Sequence, residues 1–166
     1  MMKPAKRILA GLVLAAATLP AAAQDVIEVR RMTLELAREV AGAAVTACRD
    51  KGYQVTAVVV DRAGDVQVTF RDTLAPRFTR QIAADKARAV ILSGIPSGEF
   101  RGNREDIRME MNHVDGVLVL DGAVPIEAAG SVLGAVGVSG APGGDKDAEC
   151  ARAGLETVQD RLDFIQ

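Results

Sequence analysis

The chain has 166 residues and a formal net charge of −2, with no Trp, one Tyr and four Phe. That length suits one domain with its own core. The acidic balance, without a basic block beyond the extreme N-terminus, speaks against nucleic acid as a partner. With aromatics so scarce, the core falls to Val, Ala, Leu and Ile.

Residues 1–23 read as a cleavable secretory signal. Lys3, Lys6 and Arg7 give a positive start, and Ile8 to Leu19 is apolar apart from Gly11 and Thr18. Pro20 then breaks the run, and Ala21-Ala22-Ala23 offers a small-residue cleavage site. The apolar run is shorter than the ~20 residues a bilayer span requires. Cleavage would leave 143 of the 166 residues, from Gln24 on, and losing three basic residues takes the charge from −2 to −5. The expected location is periplasmic or secreted. Cys48 and Cys150 are the only cysteines. Export and an even count favour a disulfide between them, the alternative being two separate buried thiols. The absence of a CxxC or Cys/His cluster argues against a metal site of that kind.

In chain order, Thr33 is an N-cap candidate with Glu35 in the first turn. Ala37, Val40, Ala41, Ala44, Val45 and Cys48 recur at helical spacing up to a closing Gly52, which predicts a helix over 34–51. Val55 to Val60 reads as a buried strand, 61–65 as a turn and Val66 to Phe70 as a second strand, so 54–70 is a hairpin. A polar loop from Arg71 to Arg77 leads to Thr79, a candidate cap for a second helix that ends at Gly94 and Pro96. Ser97 can start a short helix, and 101–115 reads as a loop with about one helical turn. Val117 to Leu120 is expected as the third strand, with Pro125-Ile126 extended. Gly130 turns the chain into a long fourth strand, Ser131 to Ser139. Asp145 is expected to cap a last helix whose apolar face runs through Ala148, Ala151, Leu155, Val158 and Leu162. Two hairpins among three main helices predict an α+β domain with an antiparallel sheet.

Several of these segments together resemble the GlcG/HbpS family, the haem-binding-like domain also found at the C-terminus of PduO-type proteins. They are Met32-Thr33-Leu34, Gly52-Tyr53-Gln54-Val55, Val58 to Gly64, Phe70-Arg71-Asp72, and Gly134 to Asp147 running into the last helix. The resemblance spans nearly all of 32–164. It implies a mixed helix and sheet fold, assembly into homo-oligomers, and binding of haem or a related tetrapyrrole. The chain departs from the family where relatives carry a Pro-His-Thr run. Here it reads Pro76-Arg77-Phe78-Thr79, with Arg in place of His, and no Glu-x-x-Glu iron spacing occurs.

The lone histidine, His113, follows Met109, Glu110 and Met111. Imidazole and thioether both ligate haem iron, so His113 is the candidate metal ligand, with Met109 or Met111 beside it. The blander reading is a surface-loop histidine with two core-filling methionines. Glu110 and His113 form half of a di-iron motif, without a second copy. Arg71, Arg77, Arg80, Lys86 and Arg88 make 71–88 locally basic, and Arg77, Arg80 and Lys86 are the candidates to meet haem propionates or a small organic acid. Thr79 and Lys86, seven apart on a helix, are expected to face one cleft. Gly134, Gly137 and Gly140 do not have nucleotide-loop spacing and read as close backbone packing within a strand. Ser93, Ser97, Ser131 and Ser139 lie outside any G-x-S-x-G elbow. Binding of haem or a related tetrapyrrole is therefore the leading expectation. The alternative is an enzyme or accessory factor acting on a small organic acid in the same cleft.

Overall fold

Thr33 sets the start of the first helix. Its side-chain oxygen accepts the Leu36 amide, capping helix α1, Leu34–Asp50, and Gly52 closes that helix at φ +83°. The coordinates are a computed structural model that describes residues 25 and 27–165. The expected signal, 1–23, lies outside the described residues.

Strands β1, Thr56–Asp61, and β2, Val66–Arg71, form the first hairpin. In its turn Asp61 accepts the amides of Ala63 and Asp65. Helix α2, Thr79–Ser93, and two short helices, α3, Ser97–Asn103, and α4, Arg108–Met111, lead to the second hairpin. That hairpin pairs β3, Ala123–Ala128, with β4, Ser131–Ser139, through Ala129 and Gly130, both at positive φ, as a tight two-residue turn requires. Helices α5, Gly144–Glu156, and α6, Gln159–Asp163, end the chain. The four strands form one antiparallel sheet in the order β2-β1-β4-β3.

Three layers result. On one face α1 and α5 meet Val55, Val59, Val136 and Val138 in the main core. Gly154 lets the two helices touch: a Cβ there would lie 2.6 Å from the Val40 carbonyl oxygen. A disulfide joins Cys48 of α1 to Cys150 of α5. On the other face α2 packs Ala83, Ala87 and Val90 against Val58, Val60 and Ala135. Its backbone approaches β4 so closely that a Cβ on Gly137 would sit 2.1 Å from the Ala83 oxygen, in line with the close-packing reading of that segment.

Four local expectations need correction. Residues 117–120 are not a strand, because the Leu118 amide donates to Asp85 O on α2 and the Val119 amide to Asn112 Oδ1, leaving no ladder to join. The third strand lies further on, at Ala123–Ala128. Thr79 does not cap α2. Its hydroxyl donates to Pro76 O and pairs with Thr56 Oγ1 at 2.7 Å under the helix. Gly143, not Asp145, occupies the cap position of α5, and the last helix breaks at Thr157 and Val158.

Candidate functional site

Strand β2 is an edge strand, and a register shift opposite Val59 and Val60 leaves Val68 as its one buried residue. The layer of α2 therefore stops short of it. Between β2 and the first turns of α2 lies an open cleft of about 490 Å³, lined by Val66, Thr69, Arg77, Phe78, Arg80, Gln81 and Ala84. Phe78 is 61% exposed, and the Arg77 guanidinium lies 4.5 Å from its ring centroid. Arg80 reaches back only to the Arg77 carbonyl, at 3.5 Å, so both guanidinium groups face the open side.

A second hollow, about 420 Å³, lies on the other flank of the same turns. Phe78 and Gln81 line it too, with Ile82, Asp85 and the 112–118 loop that carries His113. The two hollows flank the same turns as two lobes that share Phe78 and Gln81 in their linings. One lobe offers two arginines and apolar surface, the other an exposed imidazole with the carboxylates of Asp85 and Asp115. Beside α2 the chain carries Arg77 and no histidine, and its only imidazole comes from a different segment.

The other candidates fall elsewhere. Lys86 is corrected outright: it is 1% exposed and faces the sheet. Its ammonium donates to Asp147 Oδ2 at 2.8 Å and to Val138 O at 3.1 Å. Thr79 and Lys86 do share a face, but it is the buried one. Burial pushes the Asp147 carboxyl above the usual carboxylate range, against the pull of Lys86. Met111 packs against the small cluster of Ala89, Phe100 and Val119, whereas Met109 is 67% exposed and outside both lobes. Arg71 donates to Ala75 O, and Arg88 bridges Asp85 and Gly64 O. Composition alone flagged the basic stretch, but only its first two arginines past Pro76 remain free for a ligand. Phe78 and Gln81 were not singled out. Phe78 carries the one sequence signal of the two, a large apolar residue one position ahead of a helix start, and Gln81 carries none.

On the α1 side of β2 a third hollow, about 320 Å³, is lined by Thr46, Arg49, Phe70 and Asp72. There Arg49 is bonded to Asp72 Oδ1 and Thr46 to Gly42 O, while Asp72 Oδ2 is buried without a hydrogen-bond partner. Among the described residues no group of three or more His, Cys, Asp or Glu could hold a bare metal ion, and no helix is long and apolar enough to cross a membrane.

A family model described as haem degrading protein HbpS-like matches residues 32–156. A double Glu-to-Asp mutant of HbpS from Streptomyces reticuli is 34% identical with a TM-score of 0.74, covering 87% of this chain and 98% of that one. A further structure of HbpS is 33% identical, TM-score 0.76, covering 84% and 99%. The complex of PduOC with heme is similar in fold, at 19% identity and a TM-score of 0.67, over 76% and 94% of the two chains. No curated protein matches the chain.

Proposed function

The chain belongs to the HbpS-like family, and on that premise we propose that it binds haem or a related tetrapyrrole in the two-lobed cleft beside α2. One observation carries the reading: two neighbouring hollows of ligand-binding size share Phe78 and Gln81, one lined by the guanidinium groups of Arg77 and Arg80 and the other by the only imidazole of the chain. The donor set fits the group. Arginine pairs with carboxylates in a two-pronged geometry, so Arg77 and Arg80 suit the propionates. Phe78, Val66 and Ala84 offer apolar surface to the macrocycle. Haem would bring an iron that accepts a nitrogen ligand, and His113 would be the residue to hold it. Lys86 and Met111 have no part in this reading, because both are occupied in packing. The family description and the heme complex of PduOC support the choice of ligand class.

The test is an absorbance titration with hemin of protein expressed from the full chain and purified. The expected result is a saturable Soret band whose position changes in His113→Ala and whose midpoint weakens in Arg77→Ala/Arg80→Ala. A band that is never saturable rejects the reading and turns attention to small organic acids, for which the two arginines alone would suffice. We also propose export and removal of residues 1–23. Intact mass of protein recovered outside the cytoplasm should correspond to a start at Gln24, and an uncleaved mass would contradict it.

A further inference from the structure

We propose that Arg88 is the positioning residue of the His113 loop, a clamp that fixes the loop from outside the cleft. The inference rests on the haem reading only for its consequence, not for its geometry. Segment 112–118 has no regular structure, yet two hydrogen bonds hold it and Arg88 lies beside its tip. Asn112 Oδ1 accepts the Val119 amide at 2.8 Å and closes the loop on itself. The Leu118 amide donates to Asp85 O at 3.1 Å and ties the loop to α2. Its tip is Gly116, at φ +79°, where a Cβ would lie 3.6 Å from Arg88 Cδ and 3.8 Å from Arg88 Nη1.

Arg88 is itself fixed in two directions. Its Nε donates to Gly64 O at 2.9 Å in the β1–β2 turn, and its Nη1 donates to Asp85 Oδ1 at 2.8 Å. A planar guanidinium can hold two acceptors at once, which a single ammonium cannot do in the same directions. The stem of Arg88 also passes Gly64, at φ +88°, where a Cβ would lie 3.5 Å from Arg88 Cγ. The side chain is thus seated between two glycine turns whose left-handed backbone disfavours any larger residue. One residue therefore connects the β1–β2 turn, α2 and the loop tip. It also holds Asp85, a carboxylate that is 8% exposed and lines the His113 lobe. Without Arg88 the floor of the loop is gone, and Asp85 is left buried without its cation. His113 then loses its fixed approach to the cleft.

The lone histidine makes the test direct, because its ring gives one set of imidazole resonances. Proton and carbon NMR of His113 and amide exchange at Leu118 and Val119 are measured in ligand-free wild type, Arg88→Ala and Arg88→Lys. In Arg88→Ala exchange at Leu118 should quicken about tenfold or more, as expected when a local hydrogen-bonded unit opens, while α1 and β4 keep their protection. The His113 resonances should move toward those of a free histidine. Arg88→Lys should fall between the two, and it carries the test if Arg88→Ala does not fold. Unchanged His113 resonances and unchanged Leu118 exchange overturn the clamp, as does a loss of protection spread equally over α1 and β4. A hemin titration of the same proteins separates the two ideas. If wild type binds no hemin, the haem reading fails while the exchange data still decide the clamp. If wild type binds, Arg88→Lys should alter the position of the Soret band more than the binding midpoint, and an unaltered band overturns the positioning role.

Discussion

On one face of the sheet, α1 and α5 close over Val55, Val59, Val136 and Val138, their backbones meet at Gly154, and a disulfide ties them. On the other, α2 covers the central strands and leaves the edge strand β2 open, with Arg77, Arg80 and Phe78 exposed along the gap. Both faces carry charged residues, so charge alone does not separate them. Occupancy does. Lys86 and Asp147 are sealed together, and Arg49 is bonded to Asp72, so these groups hold structure. Arg77 and Arg80 have no carboxylate partner among the described ion pairs, so they remain free for a ligand.

The comparison can be broken by damaging the sealed contacts, on either side of the sheet, and watching the open cleft. Removing the disulfide with Cys48→Ala/Cys150→Ala should have the largest effect. The cysteines are 102 residues apart in sequence, and loop-closure entropy puts the loss at up to about 4–5 kcal/mol. Urea unfolding of the double variant should show the loss, while the hemin midpoint of the folded fraction stays put. Next comes Lys86→Met, which strands the Asp147 carboxylate in the core and should cost about 3–5 kcal/mol. Adding Asp147→Leu should recover much of that in the same unfolding experiment. Gly154→Ala comes third. A Cβ there would meet Val40 O at 2.6 Å and Ala44 Cβ at 2.8 Å, and overpacking of this kind costs about 1–3 kcal/mol.

The smallest expected effect is electrostatic. Lys146 and Lys51 hold the Glu149 carboxyl down from its ordinary 4.5 to about 2. A folded-state pKa below the unfolded one means that this contribution is full above pH 4.5 and fades as pH falls toward 2. Glu149→Gln should therefore flatten the acid limb of the stability curve slightly. Asp147 has the opposite sign. Its carboxyl is raised, first by burial, so its own contribution becomes more favourable as pH falls through the raised value. An acid limb as steep in Glu149→Gln as in wild type would remove Glu149 from the account.

Much of the closed face was legible in the sequence. The cap at Thr33, the helical spacing from Ala37 to Cys48 and the β-branched run at Val55 to Val60 all act over a few residues, and local chemistry fixed them. What failed was decided by distant partners. Val117 to Leu120 has strand composition, but its amides are claimed by Asp85 and Asn112, which no local pattern reveals. Lys86 reads as a surface cation until Asp147, 61 residues away, is brought beneath it. The cleft was half legible. A basic stretch and a lone histidine stood out, but which cations stay free depends on Val138, Asp147, Gly64 and Ala75, all supplied by the fold.

The central claim is that ligand chemistry belongs to the open face, and the most direct measurement removes equal charge from both. Hemin titrations of Arg77→Ala/Arg80→Ala and of Arg38→Ala/Arg152→Ala, the latter two exposed on α1 and α5, should be run side by side at one ionic strength. The account predicts that the first pair weakens the saturable Soret band and the second leaves it as in wild type. Equal weakening by both pairs, or none by the first, would contradict it.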